Sequence, residues 1–399
     1  MNILIVTDVY TPNANSSAVL MRDLALSLVK KNFNVHVLTL LEANTLETKS
    51  YASITEEEGV KVLRVRNIRK KTVGKIRRGL SELLLPYIMY RGFQKYFKND
   101  RPDLIICYSP PITLEKTVNR LKRKYGPKTY LVLRDLFPQC ALDVGVLKPG
   151  IIFNSFKEIE NKLYEVSDYI GVQSLSDLKT ITNTTCKLRE KVELLYNWVD
   201  VAQYEKIIKK DFRREFGLQN KIVCLYAGNI GEYQELGFLF ELIKLNFNRT
   251  DVVFLIVGSG SQSRELRDEY GDLDNVMFQE FVCPELYPDL VRQCDIGLIN
   301  LSRSLTIQNI PGKLLGYWSS KLPVLASLNP NNDLQDIIKD ADGGLCSVTG
   351  DLLQYNDNFN RLCDDMVLRD NQGASGYLYT KKHFSVDNAR DTILKHFIN

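Results

Sequence analysis

Four stretches of the chain combine residue types that could do chemistry. Gln308-Asn309-Ile310-Pro311-Gly312-Lys313-Leu314-Leu315 reads as the start of a helix, because Pro311 suits a first turn where an N–H is not needed. Gly312 clears side chains from the free backbone N–H groups there, and Lys313 adds positive charge, which together make a seat for a diphosphate. The plainer alternative is an ordinary capped surface helix. Tyr226-Ala227-Gly228-Asn229-Ile230-Gly231 ends an apolar run in two glycines and an amide, which lets backbone approach a ligand closely. Gly258-Ser259-Gly260 follows another such run and reads equally as a tight turn. Arg134-Asp135 close a third run before Leu136-Phe137-Pro138. Their charges are expected to face a cleft unless they pair with each other in the interior.

Other chemistries are disfavoured. Only three histidines are present, His36 within a strand-like run and His383 and His396 near the carboxyl end, so histidine catalysis and a histidine-ligated metal are not expected. Asp272-Leu273-Asp274 has the spacing of a metal-binding pair but reads as a solvated turn before the next strand. Neither GxGxxG nor GxxxxGK[ST] occurs, which counts against nicotinamide chemistry and P-loop hydrolysis. The eight cysteines include no CxxC pair and read as buried free thiols in a reducing cytoplasm. An apolar strand from Asn2 to Val6 without a basic lead-in is not the pattern of an export signal.

The net charge of +4, from 52 Lys+Arg against 48 Asp+Glu, is too mild to imply a nucleic-acid partner. It conceals a cluster. Lys61, Arg64, Arg66, Arg69, Lys70, Lys71, Lys75, Arg77 and Arg78 occur without one acid among them, and the run continues into Leu80, Leu83, Leu84, Leu85, Tyr87, Ile88, Met89, Tyr90, Phe93 and Phe97. This reads as peripheral docking on an anionic membrane, with Arg69, Lys70, Lys71, Lys75, Arg77 and Arg78 as the contact residues. The alternative is a core-facing helix behind a solvated basic loop.

These residues need elements to place them. At 399 residues two domains are expected. Apolar runs at 3–7, 35–40, 104–108, 130–135, 169–174 and 192–196 alternate with helical patterns, and a second series follows at 222–229, 252–260, 275–281, 295–301 and 322–327. The fold class is α/β, with two Rossmann-like domains. The first spans 1–198 and the second 205–384, with a carboxyl-terminal helix at 385–399 packing back on the first. Such domains bind ligands at the carboxyl ends of their strands, so an interdomain site is expected.

Several segments taken together resemble the WbuB-like branch of family 4 glycosyltransferases. They are Asn309-Ile310-Pro311-Gly312-Lys313, Leu322-Pro323-Val324-Leu325-Ala326, Leu133-Arg134-Asp135-Leu136-Phe137-Pro138-Gln139, Tyr108-Ser109-Pro110-Pro111, Ile170-Gly171-Val172-Gln173-Ser174 and Tyr226-Ala227-Gly228-Asn229. The resemblance implies a GT-B fold and retaining transfer from a nucleotide diphosphate sugar, with UDP-N-acetyl-L-fucosamine as the branch's eponymous donor. It implies no metal and no cofactor beyond the UDP-sugar co-substrate. The implied acceptor is an undecaprenyl-diphosphate-linked glycan at the cytoplasmic face of the inner membrane, in O-antigen (lipopolysaccharide) or capsule assembly.

By the same resemblance, Asn15, Ser16 and Ser17 approach the donor phosphates, and Tyr108 and Ser109 lie toward the acceptor. Arg134 takes the place of a catalytic-site histidine, with Asp135 orienting it. Gly228, Asn229 and Gln234 flank the diphosphate, Phe281 and Val282 hold the base, and Gln308, Asn309, Pro311, Gly312 and Lys313 complete the donor seat. Two family glutamates correspond to Gln308 and Gly316, and a family Arg and Lys to Asn229 and Gln234. Neither carboxylate is there for the ribose, and fewer charges hold the diphosphate. Two other readings share the architecture: a nucleotide-sugar 2-epimerase, which the scarcity of histidine disfavours, and a catalytically weakened nucleotide-sugar-binding scaffold.

Overall fold

The computed structural model describes residues 1–13, 15–41, 51–66, 75–143, 146–184, 188–280, 282–305, 310–330 and 332–398, with backbone alone for 75–81, 143 and 184. The chain divides into two compact units, Met1–Asn197 with Val386–Asn399, and Trp198–Ser385.

The first unit is built on eight strands: β1 (Asn2–Val6), β2 (Asn34–Leu41), β3 (Ala52–Glu57), β4 (Val60–Arg66), β5 (Leu104–Ser109), β6 (Lys128–Leu133), β7 (Tyr169–Val172) and β8 (Val192–Leu194). Their order is β3-β4-β2-β1-β5-β6-β7-β8, parallel except for the antiparallel β3–β4 pair. Helices cover a parallel sheet on both faces, so its central strands are apolar throughout; β5 is buried along its whole length. The helices are α1 (Ser16–Lys30), α2 (Lys75–Tyr96), α3 (Glu115–Tyr125), α4 (Gln139–Asp143), α5 (Ile151–Val166) and α6 (Leu175–Thr184). Asn15 caps α1 by accepting from Ala18 N at 2.8 Å, as a short polar side chain does at a helix start.

The carboxyl-terminal helix, Val386–Leu394, packs on α1. Arg390 Nη1 donates to Ser27 Oγ at 2.8 Å. Beyond it the His396 ring stacks on Tyr169 with centroids 3.7 Å apart and bonds Glu193 at 2.8 Å.

The second unit has six parallel strands, β9 (Ile222–Ala227), β10 (Val252–Val257), β11 (Val276–Gln279), β12 (Ile296–Asn300), β13 (Val324–Leu328) and β14 (Gly344–Val348). Their order is β11-β10-β9-β12-β13-β14. Around them lie α7 (Phe212–Glu215), α8 (Leu236–Leu245), α9 (Ser263–Tyr270), α10 (Tyr287–Val291), α11 (Gly312–Ser319), α12 (Asp333–Ala341), α13 (Leu352–Asp364) and α14 (Met366–Tyr379). Phe240, Phe254, Tyr355 and Phe359 fill its core. The unit's two ends meet: Val199 and Ser385 form a parallel bridge, with Val199 N donating to Phe384 O at 2.9 Å.

The basic cluster divides differently from the sequence expectation. Lys61, Arg64 and Arg66 belong to β4. Arg64 is buried and bonds Glu57 at 2.6 Å, Thr55 at 2.7 Å and the Thr11 carbonyl at 2.5 Å. It is a strut under the β1–α1 loop rather than a surface charge. Leu85, Met89, Phe93 and Phe97 recur every four residues along α2 and the turn after it, and all are buried in the first unit's core. The apolar stretch expected at a membrane is therefore in large part core, because i, i+4 spacing places those side chains on one helix face. Arg69, Lys70 and Lys71 lie outside the described residues, as do the side chains of Lys75, Arg77 and Arg78 at the start of α2.

Candidate functional site

In an open parallel sheet a ligand crevice forms beyond the carboxyl ends of two neighbouring strands whose connections leave in opposite directions. In the second unit that point lies between β9 and β12. Gly228 follows β9 with φ +139°, a conformation that favours glycine. The loops beyond β9 and β10 touch each other: a Cβ on Gly258 (φ +144°) would fall 1.9 Å from Gly228 O, and one on Gly260 would fall 2.1 Å from Ile230 O. Gly258-Ser259-Gly260 is thus more than a turn. It is the surface on which the 228–231 loop rests.

Lys313 reaches this place from the first turn of α11. Pro311 is the N-cap, with extended backbone and no side-chain cap bond, so the helix start keeps free N–H groups. The stem of Lys313 is partly exposed, but its Nζ is shut off from solvent and has no hydrogen-bond partner among the described residues. The ammonium sits 3.5 Å from the centroid of the Tyr226 ring and 3.5 Å from where a Gly228 Cβ would stand. Burial without a counter-charge pushes its pKa down to about 7. A buried amine with one aromatic face for company, beside a helix N-terminus, has the chemistry to take an anion as its counter-charge.

Two tyrosines outside the expected site residues build this cradle, one of them, Tyr226, at the head of the 226–231 segment singled out in the sequence. Tyr226 donates to Asn229 O at 2.6 Å, which fixes its ring. Tyr317 OH accepts from Ala227 N at 2.9 Å and donates to Leu225 O at 3.0 Å, which fixes the end of β9. Both lie in apolar runs and read as core; the only available signal was a phenol in a buried strand or helix, which needs a polar partner.

The neutral residues at the places where the resemblance implies charges also have local neighbours. Asn229 Nδ2 donates to Gln234 Oε1 at 2.9 Å, so the two amides satisfy each other. A Cβ at Gly316 would meet Tyr204 OH and Tyr287 Cε1, each at 3.1 Å, so a side chain there would press on two tyrosines, which would have to give by a few tenths of an ångström. Val282 is half-buried beside the end of β11. Phe281, Gln308 and Asn309 lie outside the described residues.

The remaining expected residues gather in the first unit, at the carboxyl ends of β1, β5 and β6. Ser17 Oγ accepts from Tyr108 OH at 2.8 Å, which joins the start of α1 to β5. Ser16 is exposed beside Ser17, and Asn15 is occupied as the cap. Ser109 is buried, and its Oγ has no partner among the described residues. Arg134 is buried too and bonds back into its own unit: Nη1 donates to Leu195 O at 2.6 Å, and its carbonyl accepts from Gln173 Nε2 at 2.5 Å. Desolvation lowers its pKa to about 10, and burial raises that of Asp135 against the pull of Arg134. Arg134→Met strips the Leu195 carbonyl of its donor and is expected to lower unfolding free energy by about 1–3 kcal/mol; a urea titration checks this.

Residues 221–365 match the family model of glycosyl transferases group 1. The group 1 match covers all six strands of the second unit and α11 with Lys313. The putative colanic acid biosynthesis glycosyl transferase WcaI of Escherichia coli (strain K12) is 24% identical over 227 residues, 54% of each chain, so the chain spans about half of that relative's length. The whole fold is that of solved GT-B proteins. Sucrose-phosphate synthase from Thermosynechococcus elongatus superposes with a TM-score of 0.73 at 13% identity, covering 99% of this chain and 98% of the other. Anabaena HepE, solved in complex with UDP, gives 0.71 at 14% identity, covering 99% of both chains.

Proposed function

We propose that the protein is a retaining glycosyltransferase that moves a sugar from a UDP-linked donor, of the UDP-N-acetyl-L-fucosamine class, to an undecaprenyl-diphosphate-linked glycan in bacterial O-antigen or capsule assembly. The observation that carries this reading is the buried Lys313 ammonium at the start of α11 beside Gly228, without a hydrogen-bond partner among the described residues. The group 1 family match and the UDP complex of HepE support it. A diphosphate placed there receives backbone N–H groups and one strong charge, and it is the group on which charge develops as the sugar leaves. The acceptor hydroxyl then attacks the face from which the diphosphate departs and gives its proton to a phosphate oxygen. That preserves anomeric configuration without a side-chain nucleophile. In the first unit Tyr108 and Ser109 serve the acceptor, Arg134 holds the catalytic place with Asp135 orienting it, and the basic segment at 69–78 docks on the anionic inner membrane from the cytoplasm.

Thermal shift with UDP, GDP, ADP and NAD, each with magnesium or with EDTA, tests the donor half, since a ligand that binds the folded state raises its melting temperature. A shift selective for UDP and insensitive to EDTA is expected. A shift with GDP alone overturns the donor, and no shift with any nucleotide overturns the site. The paired amides Asn229 and Gln234 favour one second reading, a nucleotide-sugar-binding scaffold, for which UDP binds but no sugar is released or transferred.

A further inference from the structure

The loop after α4 and the first turn of α5 hold the most exposed apolar side chains of the first unit. Val146 is 76% exposed, Ile151 86% and Ile152 65%. Single exposed apolar residues are ordinary, but three within seven residues at one helix tip form a patch. The tip is braced from beneath: Phe156, one turn on, packs edge-to-face on Phe137 with centroids 5.2 Å apart. Lys148 stands exposed in the middle of it, and no acid occurs anywhere from 144 to 157.

A second exposed apolar group lies near. On α2, Leu83, Leu84 and Tyr87 point away from the core face, and the Arg120 guanidinium sits 4.4 Å from the Tyr87 ring centroid. Both α2 and α5 follow strands of the parallel sheet, so both start at its carboxyl edge. Both pack on the short turn Ile112–Leu114 that follows β5. The two helices that carry the apolar groups therefore share this turn as a neighbour, and in the sequence the acid-free segment 67–81 leads directly into the α2 group.

We infer that the α5 tip, with Val146, Ile151 and Ile152 around Lys148, is a membrane-insertion element that seats this edge of the first unit in an anionic phospholipid bilayer. Apolar side chains with lysines and no acid match the two parts of such an interface, acyl boundary and anionic headgroups. Hydrophobic insertion and charge attraction act together, as one signal alone binds weakly. The inference deepens the proposed membrane-bound acceptor and rests on that reading only for its biological purpose.

The test uses the full chain and vesicles of phosphatidylcholine with or without a quarter phosphatidylglycerol. I151S/I152S is expected to reduce co-sedimentation with the anionic vesicles by about tenfold or more, with an unchanged UDP thermal shift showing that the protein is folded. In I151W, where the native Trp198 and Trp318 are buried, emission is expected to shift to the blue and be quenched by brominated acyl chains only with the anionic vesicles. Equal vesicle binding by wild type and I151S/I152S overturns the inference. So does an unmoved I151W emission, or sedimentation analysis in which the double variant turns a dimer into a monomer, since the patch is then a contact between two copies. A wild-type protein that binds these vesicles but not UDP overturns the donor reading and leaves this one standing.

Discussion

Lys313→Met is expected to lower sugar transfer by about 10²–10³-fold, the scale of losing one preorganised group aimed at developing negative charge. The same change is expected to raise the melting temperature of the ligand-free protein at neutral pH. The Nζ is buried without a hydrogen-bond partner among the described residues, and its folded-state pKa near 7 lies far below its ordinary value of 10.5. Between those two values the unfolded chain binds the extra proton, so wild-type stability rises with pH across that window. Below pH 7 both states are protonated and the penalty is present in full; methionine removes it. Diphosphate binding reverses the preference by supplying a counter-charge, so UDP affinity should fall as pH rises above 7, with proton uptake on binding. Calorimetry in two buffers of different ionisation enthalpy measures the uptake. Unchanged turnover in Lys313→Met would sink the role.

Gly258→Ala is the second large effect. The new Cβ would lie 1.9 Å from Gly228 O on a backbone with φ +144°, so the contact cannot be relieved by a side-chain rotation. A loss of about 2–6 kcal/mol is expected from combined overpacking and backbone strain, read by urea unfolding, together with loss of the UDP thermal shift as the 228–231 loop moves. Gly312→Ala supplies the contrast. A Cβ there meets nothing within 4 Å, so stability should hold. Any fall in UDP affinity then reports a group close to the ligand itself.

The second unit was nearly transparent in sequence because buried parallel strands are continuous apolar runs, as in Val252–Val257, where every residue is buried. The strands without a counterpart among the sequence's apolar runs lie at a sheet edge or, for β4, next to one. In β3, Ala52–Glu57, no residue is buried, and β4 carries Lys61, Arg64 and Arg66, so the hairpin reads as a charged loop. The last strand, Gly344–Val348, is half-exposed and merged with its surroundings. At the site, Lys313 was legible because Pro-Gly before a lysine marks a helix start. The Tyr226 ring beneath it was not, since nothing local separates an aromatic platform from an aromatic core residue. The glycines after β10 had two readings, and only the contact with Gly228 O decides between them.

The bridge between Val199 and Ser385 bears on how the chain is made. Trp198–Ser385 enters and leaves at adjacent points, so it is an insertion whose ends are already joined before the rest is complete. The first unit, by contrast, is discontinuous: α1 waits for Arg390, and Glu193 waits for His396. During synthesis domains form as units once their residues have emerged. Residues 386–398, which complete the first unit, are translated after the whole of the second, so α1 and β8 lack these partners until that stretch emerges.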